Sequence, residues 1–447
     1  MELTRAKQII FDAAKAAGLE EYEIYYMNGT SLSAEALKDT LSGFSCGEGG
    51  GISLRCIVDG KMGYAATELF TEEELADLVR RACDNARYIE KEDIAPIFAG
   101  SESYATLDMP EFVPLTAAEA KAMTLDMQAQ VYAANEAVTD GTQSACMSSS
   151  SEIYLCNSHG LELSNRVGLN GVYAMAIVKV GEENADAFAF ALCSDKEKMD
   201  NLASKAVEEA IAKIGAGSVD SGKYNIVFSG AEMRSLLSVF SSAFSARNAQ
   251  LGLSLLAGKE GQKVAADCVS IVDDPMREGS PMQTHFDGEG VATYKKDVVK
   301  DGVLCTLLYD LTTAGKSGVA STGNGKRASY ASQVEIAPFN FSFCPGSQTE
   351  DELLAKAENG IYITELKGLH AGADATTGDF SLESAGFLIE NGKKTKYVRS
   401  FTIAGNFFEL LKNVDSLSDT VDWGIPGGFT VFGSPAVLVR DMSVAGK

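Results

Sequence analysis

The chain has three histidines, His159, His285 and His370, each far from the others in sequence. Zinc usually takes its histidines as closely spaced pairs on one element, so this spacing builds no local metal site. Folding alone could assemble a set such as His370, Asp374 and Asp379, the acceptor groups of LHAGADATTGD. His159 falls in a hairpin turn and His285 in a polar loop, SPMQTHFDGEG, so the expectation is three structural or solvent-facing imidazoles.

Gly43-Phe44-Ser45-Cys46-Gly47 matches G-x-S-x-G. A nucleophile elbow needs a strand before the serine and a helix after it, whereas here a glycine cluster leads into a hairpin, so Ser45 is not expected to be catalytic. Gly47, Gly49, Gly50 and Gly51 have no following helix whose N-terminus would hold a phosphate; a bend or bulge is expected instead. Gly315-Lys316-Ser317 lacks the earlier glycine of a P-loop.

A length of 447 residues suggests about two to four domains. Charged residues such as Lys179, Asp186 and Lys300 interrupt every apolar run well before the ~20 residues a bilayer requires, which predicts no membrane partner. Asp12 and Lys15 break the N-terminal stretch where a signal peptide would be apolar, so the expected location is cytoplasmic. Nine cysteines, an odd number with no C-x-x-C pair, read as small buried residues rather than a disulfide framework. A formal charge of −24 argues against nucleic acid as a partner, since phosphate binding needs a basic stripe.

The elements that must position any site follow from periodicity. Ala6, Ile9, Ile10, Ala13 and Ala17 share one face of a helix at 4–17. Thr71-x-x-Glu74 and Thr116-x-x-Glu119 are capping boxes opening two more helices, and a fourth runs from about Leu202 to Ile214. Between them lie hairpins. ISLRCIVDGKMGYAAT turns at Asp59-Gly60, EIYLCNSHGLELSN at Asn157–Gly160, and GVYAMAIVKV pairs with ADAFAFALC. Helices with antiparallel hairpins give an α+β class. GAGSVDSG at 215–222 is the clearest linker, predicting domains at 1–218 and 222–447. The second is expected to be β-rich and antiparallel, with hairpins at Asp301-Gly302 and Asn391-Gly392.

In that second domain VKDGVLCTLLYD, STGNGKRASY and GDFSLESAGFLIENG occur in order, and the hairpin from Gly378 closes on Thr-Ile-Ala-Gly-Asn at 402–406. With the GGGISLRCIVDGKMGYAAT and LCNSHGLEL hairpins, this set resembles the TldD/PmbA metallopeptidase family over essentially the whole chain. Metal-binding members of that family carry H-E-x-x-x-H on the first helix of the C-terminal domain and a cysteine in a late Gly-rich segment. Here the helix region reads FSGAEMRSLLSVFSSAFSARN, with Glu232 and no histidine; the late segment reads DWGIPGGFTVFG, and no cysteine follows Cys344.

The joint loss resembles the TldE/PmbA branch, which lacks the metal motif. The resemblance implies no catalytic residue, metal or cofactor in this chain, with zinc expected in a TldD-like metal-bearing partner. It implies a heterodimer with that subunit, or a homodimer, acting on unfolded or leader peptides in a shared chamber; older names call the family modulators of DNA gyrase. Asp379, Phe380, Ser381 and Glu383 are the candidate peptide contacts, with turn capping as the other role open to Asp379. Two further readings remain: a stand-alone binding or scaffold protein, and an active homodimeric peptidase with an unrecognised site.

Overall fold

The computed structural model describes residues 1–90, 95–107 and 112–447. The first domain is built on one antiparallel sheet of β1 (Tyr22–Leu37), β2 (Thr40–Val58), β3 (Lys61–Thr67), β4 (Gln143–Asn157), β5 (Glu162–Val180) and β6 (Glu183–Leu192), in the order β3-β2-β1-β4-β5-β6. Helices α1 (Leu3–Ala16) and α2 (Glu72–Tyr88) bury Ile10, Leu75 and Leu78 with Ile24 and Leu54 of the sheet. At the other end α3 (Ala117–Ala134), α4 (Lys196–Asp200) and α5 (Leu202–Ala212) follow, and Val131 and Val207 of α3 and α5 pack on Val172 and Val178 of β5. The box at Thr116 forms completely, whereas at Thr71 the hydroxyl accepts the Glu74 N–H at 3.2 Å.

Two glycine clusters depart from expectation. Gly47 and Gly49–Gly51 sit in unbroken register along β2, facing Ser31, Gly29, Asn28 and Met27 of β1; the register shift lies at Glu35/Ala36 instead. The reason for Gly51 is contact rather than bending, since a Cβ there would stand 2.5 Å from the Tyr330 ring. Likewise LELSN and GVYAMAIVKV are one 19-residue strand, because Gly168 and Gly171 lie against the rings of Phe112 and Phe190 and leave no room for a Cβ.

The second domain opens with β7 (Gly222–Phe228) and α6 (Gly230–Phe240). Six short strands follow: β8 (Ile271–Asp273), β9 (Lys296–Lys300), β10 (Val303–Leu304), β11 (Gly325–Lys326), β12 (Glu335–Ile336) and β13 (Asn340–Phe343). Then come β14 (Gly360–Lys367), β15 (Asp379–Glu390), β16 (Lys393–Asn406), β17 (Val414–Leu417), β18 (Asp422–Trp423), β19 (Val431–Ser434) and β20 (Val437–Ala445). The long strands run β16-β15-β14-β7-β20, and β16 pairs again with β20, so five strands close into a barrel with β17 attached to β20. A second sheet has the order β10-β9-β8-β13-β19-β18. Pairing is mainly antiparallel, with β7–β14 and β13–β19 parallel. The hairpins at Asp59-Gly60, Asp301-Gly302 and Asn391-Gly392 each have positive φ at both residues, as a type I′ turn requires.

α6 fills the barrel side of the core, its Phe240 ring stacked on Phe407 at 4.5 Å, and in the 3₁₀ turn that follows Phe244 lies edge-on to Phe341 at 5.4 Å. The linker lies along the barrel, where the Gly217 N–H donates to the Tyr397 carbonyl at 2.8 Å.

The two domains are joined through buried charge. Glu23 of β1 is fully buried; its carboxylate pairs with Arg55 of β2 at 2.8 Å and accepts from Arg327 of the second domain at 2.6 Å. Arg55 also reaches Glu289 at 3.4 Å, while Glu289 accepts the Leu311 N–H at 2.8 Å. The Arg327 guanidinium lies over the Tyr25 ring at 4.4 Å. Two residues after β11, STGNGKRASY continues onto the first sheet: the Tyr64 hydroxyl donates to the Tyr330 carbonyl at 2.6 Å, and the Tyr330 hydroxyl meets Glu68.

Removing one member of this set leaves a buried charge without its partner, a change that costs about 3–5 kcal/mol. Glu23→Ala, which leaves Arg327 without its carboxylate and Arg55 with Glu289 alone, is expected to lower stability by that amount in urea denaturation. An unchanged midpoint would show that the pairs carry no net stabilisation.

Candidate functional site

α6 occupies the place where the resemblance puts a metal-binding helix. Ser229 caps it by accepting the Glu232 N–H at 3.3 Å, and Met233, Leu236, Leu237 and Phe240 turn inward. The outward positions are Ser238 and, in the following 3₁₀ turn, Ser242. Neither supplies a metal ligand of the imidazole or thiolate kind. In the late Gly-rich segment, Trp423 lies on Gly433, where a Cβ would stand 2.7 Å from the indole, and the Arg277 guanidinium lies over the indole ring at 3.8 Å from its centroid. Among the described residues no three His, Cys, Asp or Glu side chains converge as a metal-holding group.

The histidines stay apart. His159 is exposed and its N–H donates to Asn157 Oδ1 at 3.0 Å. His285 is half-buried between the edges of Tyr104 and Phe286, and burial lowers its pKa. His370 is exposed on the short helix Leu369–Gly372. Asp374 closes its own turn, with Oδ1 accepting from the N–H groups of Thr376 and Thr377 at 2.8 and 3.3 Å. Ser45 is exposed on β2 and shares a 2.9 Å hydrogen bond with Ser33 of β1.

The strand alternation of β15 divides the candidate peptide contacts. Asp379, Ser381 and Glu383 face outward, opposite Asn406, Ala404 and Thr402 of β16. Phe380 faces inward, 4% exposed, and packs near Phe240. Asp379 accepts from Asn406 Nδ2 at 2.9 Å, and Asn406 also donates to the Thr377 carbonyl and caps the helix Phe407–Lys412. Asp379 thus belongs to the frame of the turn. Glu383 stands roughly four strand residues away, about 13 Å along β15, and lines a cavity of about 350 Å³ with Lys213, Lys367 and Arg399.

That cavity adjoins a cleft of about 900 Å³ between the first domain's α5–β6 end and the barrel, the two sharing Asp186, Lys213, Glu365 and Tyr397. Glu232 opens into the cleft. Its Oε2 accepts the Leu366 N–H at 3.0 Å, yet burial outweighs that bond and pushes the carboxyl up to about 7. Sequence reading singled out Glu232 only as a survivor in the helix. It passed over Glu23, Arg55, Glu289 and Arg327 altogether, although a glutamate inside YEIYY and an arginine inside ISLRCIV are the signal of charges held in strand interiors.

Comparison with known proteins accounts for this architecture. Residues 22–86, 110–214 and 221–446 match the PmbA/TldA metallopeptidase domain 1, central domain and C-terminal domain, respectively. The chain is 27% identical over 409 residues to an uncharacterized protein of Methanocaldococcus jannaschii, covering 90% of this chain and 93% of that one. It is 23% identical to the metalloprotease PmbA of Escherichia coli O157:H7, covering 95% and 92%. A crystal structure from Thermotoga maritima, described as a candidate modulator of a DNA gyrase, superposes with a TM-score of 0.89 at 29% identity, covering 99% of this chain and 100% of that one. TldE of Thermococcus kodakarensis shares the fold, with a TM-score of 0.82 at 22% identity and coverage of 98% and 99%.

Glu232 makes a testable contribution of known sign. Its folded pKa is raised, so the ionised carboxylate opposes folding above the unfolded value near 4.5, and fully so above about 7. Glu232→Gln keeps an acceptor for Leu366 and is expected to stabilise the protein by about 1–3 kcal/mol at pH 8. At pH 4.5 and below the gain should vanish. A gain independent of pH in thermal or urea melts would reject the assignment.

Proposed function

The chain belongs to the TldD/PmbA metallopeptidase family, and on that premise we propose that it is a TldE/PmbA-like, metal-free subunit of a cytoplasmic peptidase complex acting on unfolded or leader peptides. The observation that carries this reading is α6. The helix keeps its inward apolar face and its packing in the barrel core, while its outward positions hold serine rather than histidine and no cysteine follows Cys344. A hydrolase that needs a polarised water thus has its scaffold here without the ligands that would bind zinc. The partner subunit, TldD-like, supplies the metal, and this chain supplies a wall and a template.

The template is a strand edge. Residues Thr40–Gly51 of β2 hydrogen-bond to β1 on one side, whereas β3 covers only Ile52–Val58 on the other. An extended peptide can add there as a further strand through main-chain hydrogen bonds, independent of its sequence. Ser45, Cys46, Glu48 and Gly49 along that edge are small or exposed, so side chains present little obstruction.

The test combines the purified chain with a TldD-like sibling and an unstructured peptide. Alone it should bind less than stoichiometric zinc and cleave nothing; together the two should co-elute on gel filtration and cleave. If the sibling cleaves equally well without it and the two never co-elute, the subunit reading fails in favour of a scaffold. Near-equimolar zinc lost on His370→Ala or Asp374→Ala would revive an active homodimer, and cleavage unaided in the presence of a chelator would point to a nucleophile.

A further inference from the structure

The cleft beside Glu232 has features that neither a subunit wall nor a strand template requires. Tyr397 is 5% exposed, its ring fixed edge-on to Phe387 at 5.0 Å, and although it lines both cavities its hydroxyl makes no well-formed hydrogen bond among the described residues. Thr364, the residue bulged out of β14 between Ile363 and Glu365, also has a buried hydroxyl oxygen without a well-formed hydrogen bond. The two hydroxyls lie close enough to interact with each other, and among the described residues neither has a further partner, so the pair keeps acceptor capacity for a polar ligand.

The charges in the wall say which sign that partner carries. Lys213 pairs with Glu365 at 3.4 Å, Arg234 with Asp422 at 2.5 Å and Lys394 with Glu350 at 2.7 Å, so these cations are already matched. Among the described residues the Glu232 carboxylate accepts just the backbone N–H of Leu366. The same cleft is faced by Lys205, Glu208 and Glu209 of α5, Lys213 just after it, Lys198 of α4, Asp186 of β6, Glu365 of β14, Tyr397 of β16, Arg234 of its own helix, and Asp419 and Asp422, so carboxylates outnumber cations, and Lys205 and Lys198 are matched by Glu209 and Asp195. Apolar surface completes the cleft: Phe188 is 50% exposed and Ile425 42% exposed, with Phe387 between strands.

We propose that this cleft binds a primary ammonium group carried on an apolar or aromatic body. The ammonium has three N–H donors, which Glu232 and the Tyr397 and Thr364 hydroxyl oxygens can accept, while Phe188 and Ile425 cover the body. The volume lies in the range of small-molecule sites. The proposal is independent of the subunit reading, since it concerns residues of this chain on the α5 side of the barrel rather than the outward face of α6 or the β2 edge.

The probe is 2-phenylethylamine, titrated calorimetrically into the intact protein at pH 7.5, against 2-phenylethanol and 3-phenylpropanoate. Saturable binding is expected for the amine, with the neutral and anionic analogues at least tenfold weaker. Glu232→Gln and Tyr397→Phe should each weaken the amine at least tenfold. At pH 6, where much of Glu232 is protonated, amine binding should release protons, read as a dependence of the heat on buffer ionisation enthalpy; Glu232→Gln should abolish that release. Equal affinity for amine and alcohol, unchanged affinity in both variants, or no saturation in the millimolar range would overturn the proposal.

Discussion

The buried carboxylate of Glu23, held between Arg55 and Arg327, is the constraint on which the relation of the two domains depends. Each guanidinium is nearly without solvent, at 6% and 2% side-chain exposure, so neither can leave the carboxylate without remaining unpaired in a low-dielectric interior. Arg55 is charged throughout any accessible pH. The network is therefore an orienting device more than a source of net stability, because desolvation offsets much of the Coulombic gain. It extends into Glu289 and Asp287, and Asp287 is pushed well above the usual carboxylate range by burial and by Glu289. Asp287 meanwhile accepts the N–H groups of Glu289, Val291 and Gly325, which ties its loop to β11.

That clamp explains STGNGKRASY better than any catalytic role. Arg327 delivers the charge, Gly325 allows Asp287 and Glu289 to approach the backbone, and Tyr330 lays its ring on Gly51. Lys326, on the same short strand, is buried between Phe339 and Phe429 and its amine is pushed down to about 7 by desolvation, with Asp273 opposing. The glycines of β2 then have a direct physical meaning. At Gly51 a ring from the other domain takes the space of a side chain, while Gly47 and Gly49 continue the strand past the point where β3 ends. The open edge and the interdomain contact are neighbouring stretches of one strand.

The barrel core holds α6 through its apolar face. α6 is retained by Met233, Leu236, Leu237 and Phe240, all fully buried, and these positions follow helical spacing without regard to what the solvent face carries. The exposed serines of this face, Ser238 and the following Ser242, take no part in that packing. Asn406 likewise serves structure, holding the Thr377 turn, Asp379 and a helix N-terminus together through one side chain. The signature hairpin is thereby a fixed corner of the barrel, and its outward row of Asp379, Ser381 and Glu383 inherits a rigid backbone.

The sequence by itself determined the local geometry. Asp-Gly and Asn-Gly turns dictated type I′ hairpins because few other residue pairs accept positive φ twice, and the capping threonines and apolar spacing marked the helices. It also determined that α6 holds no histidine, since composition needs no coordinates. Tertiary structure alone decided what meets across long separations. Closure of the barrel depends on β16 returning to β20, and the run from Glu162 to Val180 is one strand because it pairs with β4 and β6 along its length, with two aromatic rings over its glycines. Glu23 and Arg327 are 304 residues apart and meet as closely as any pair on one helix turn. The same holds for the cleft: Tyr397 and Glu232 have ordinary neighbours in sequence, and the burial that raises the Glu232 pKa and encloses the Tyr397 hydroxyl comes from packing that no local pattern encodes.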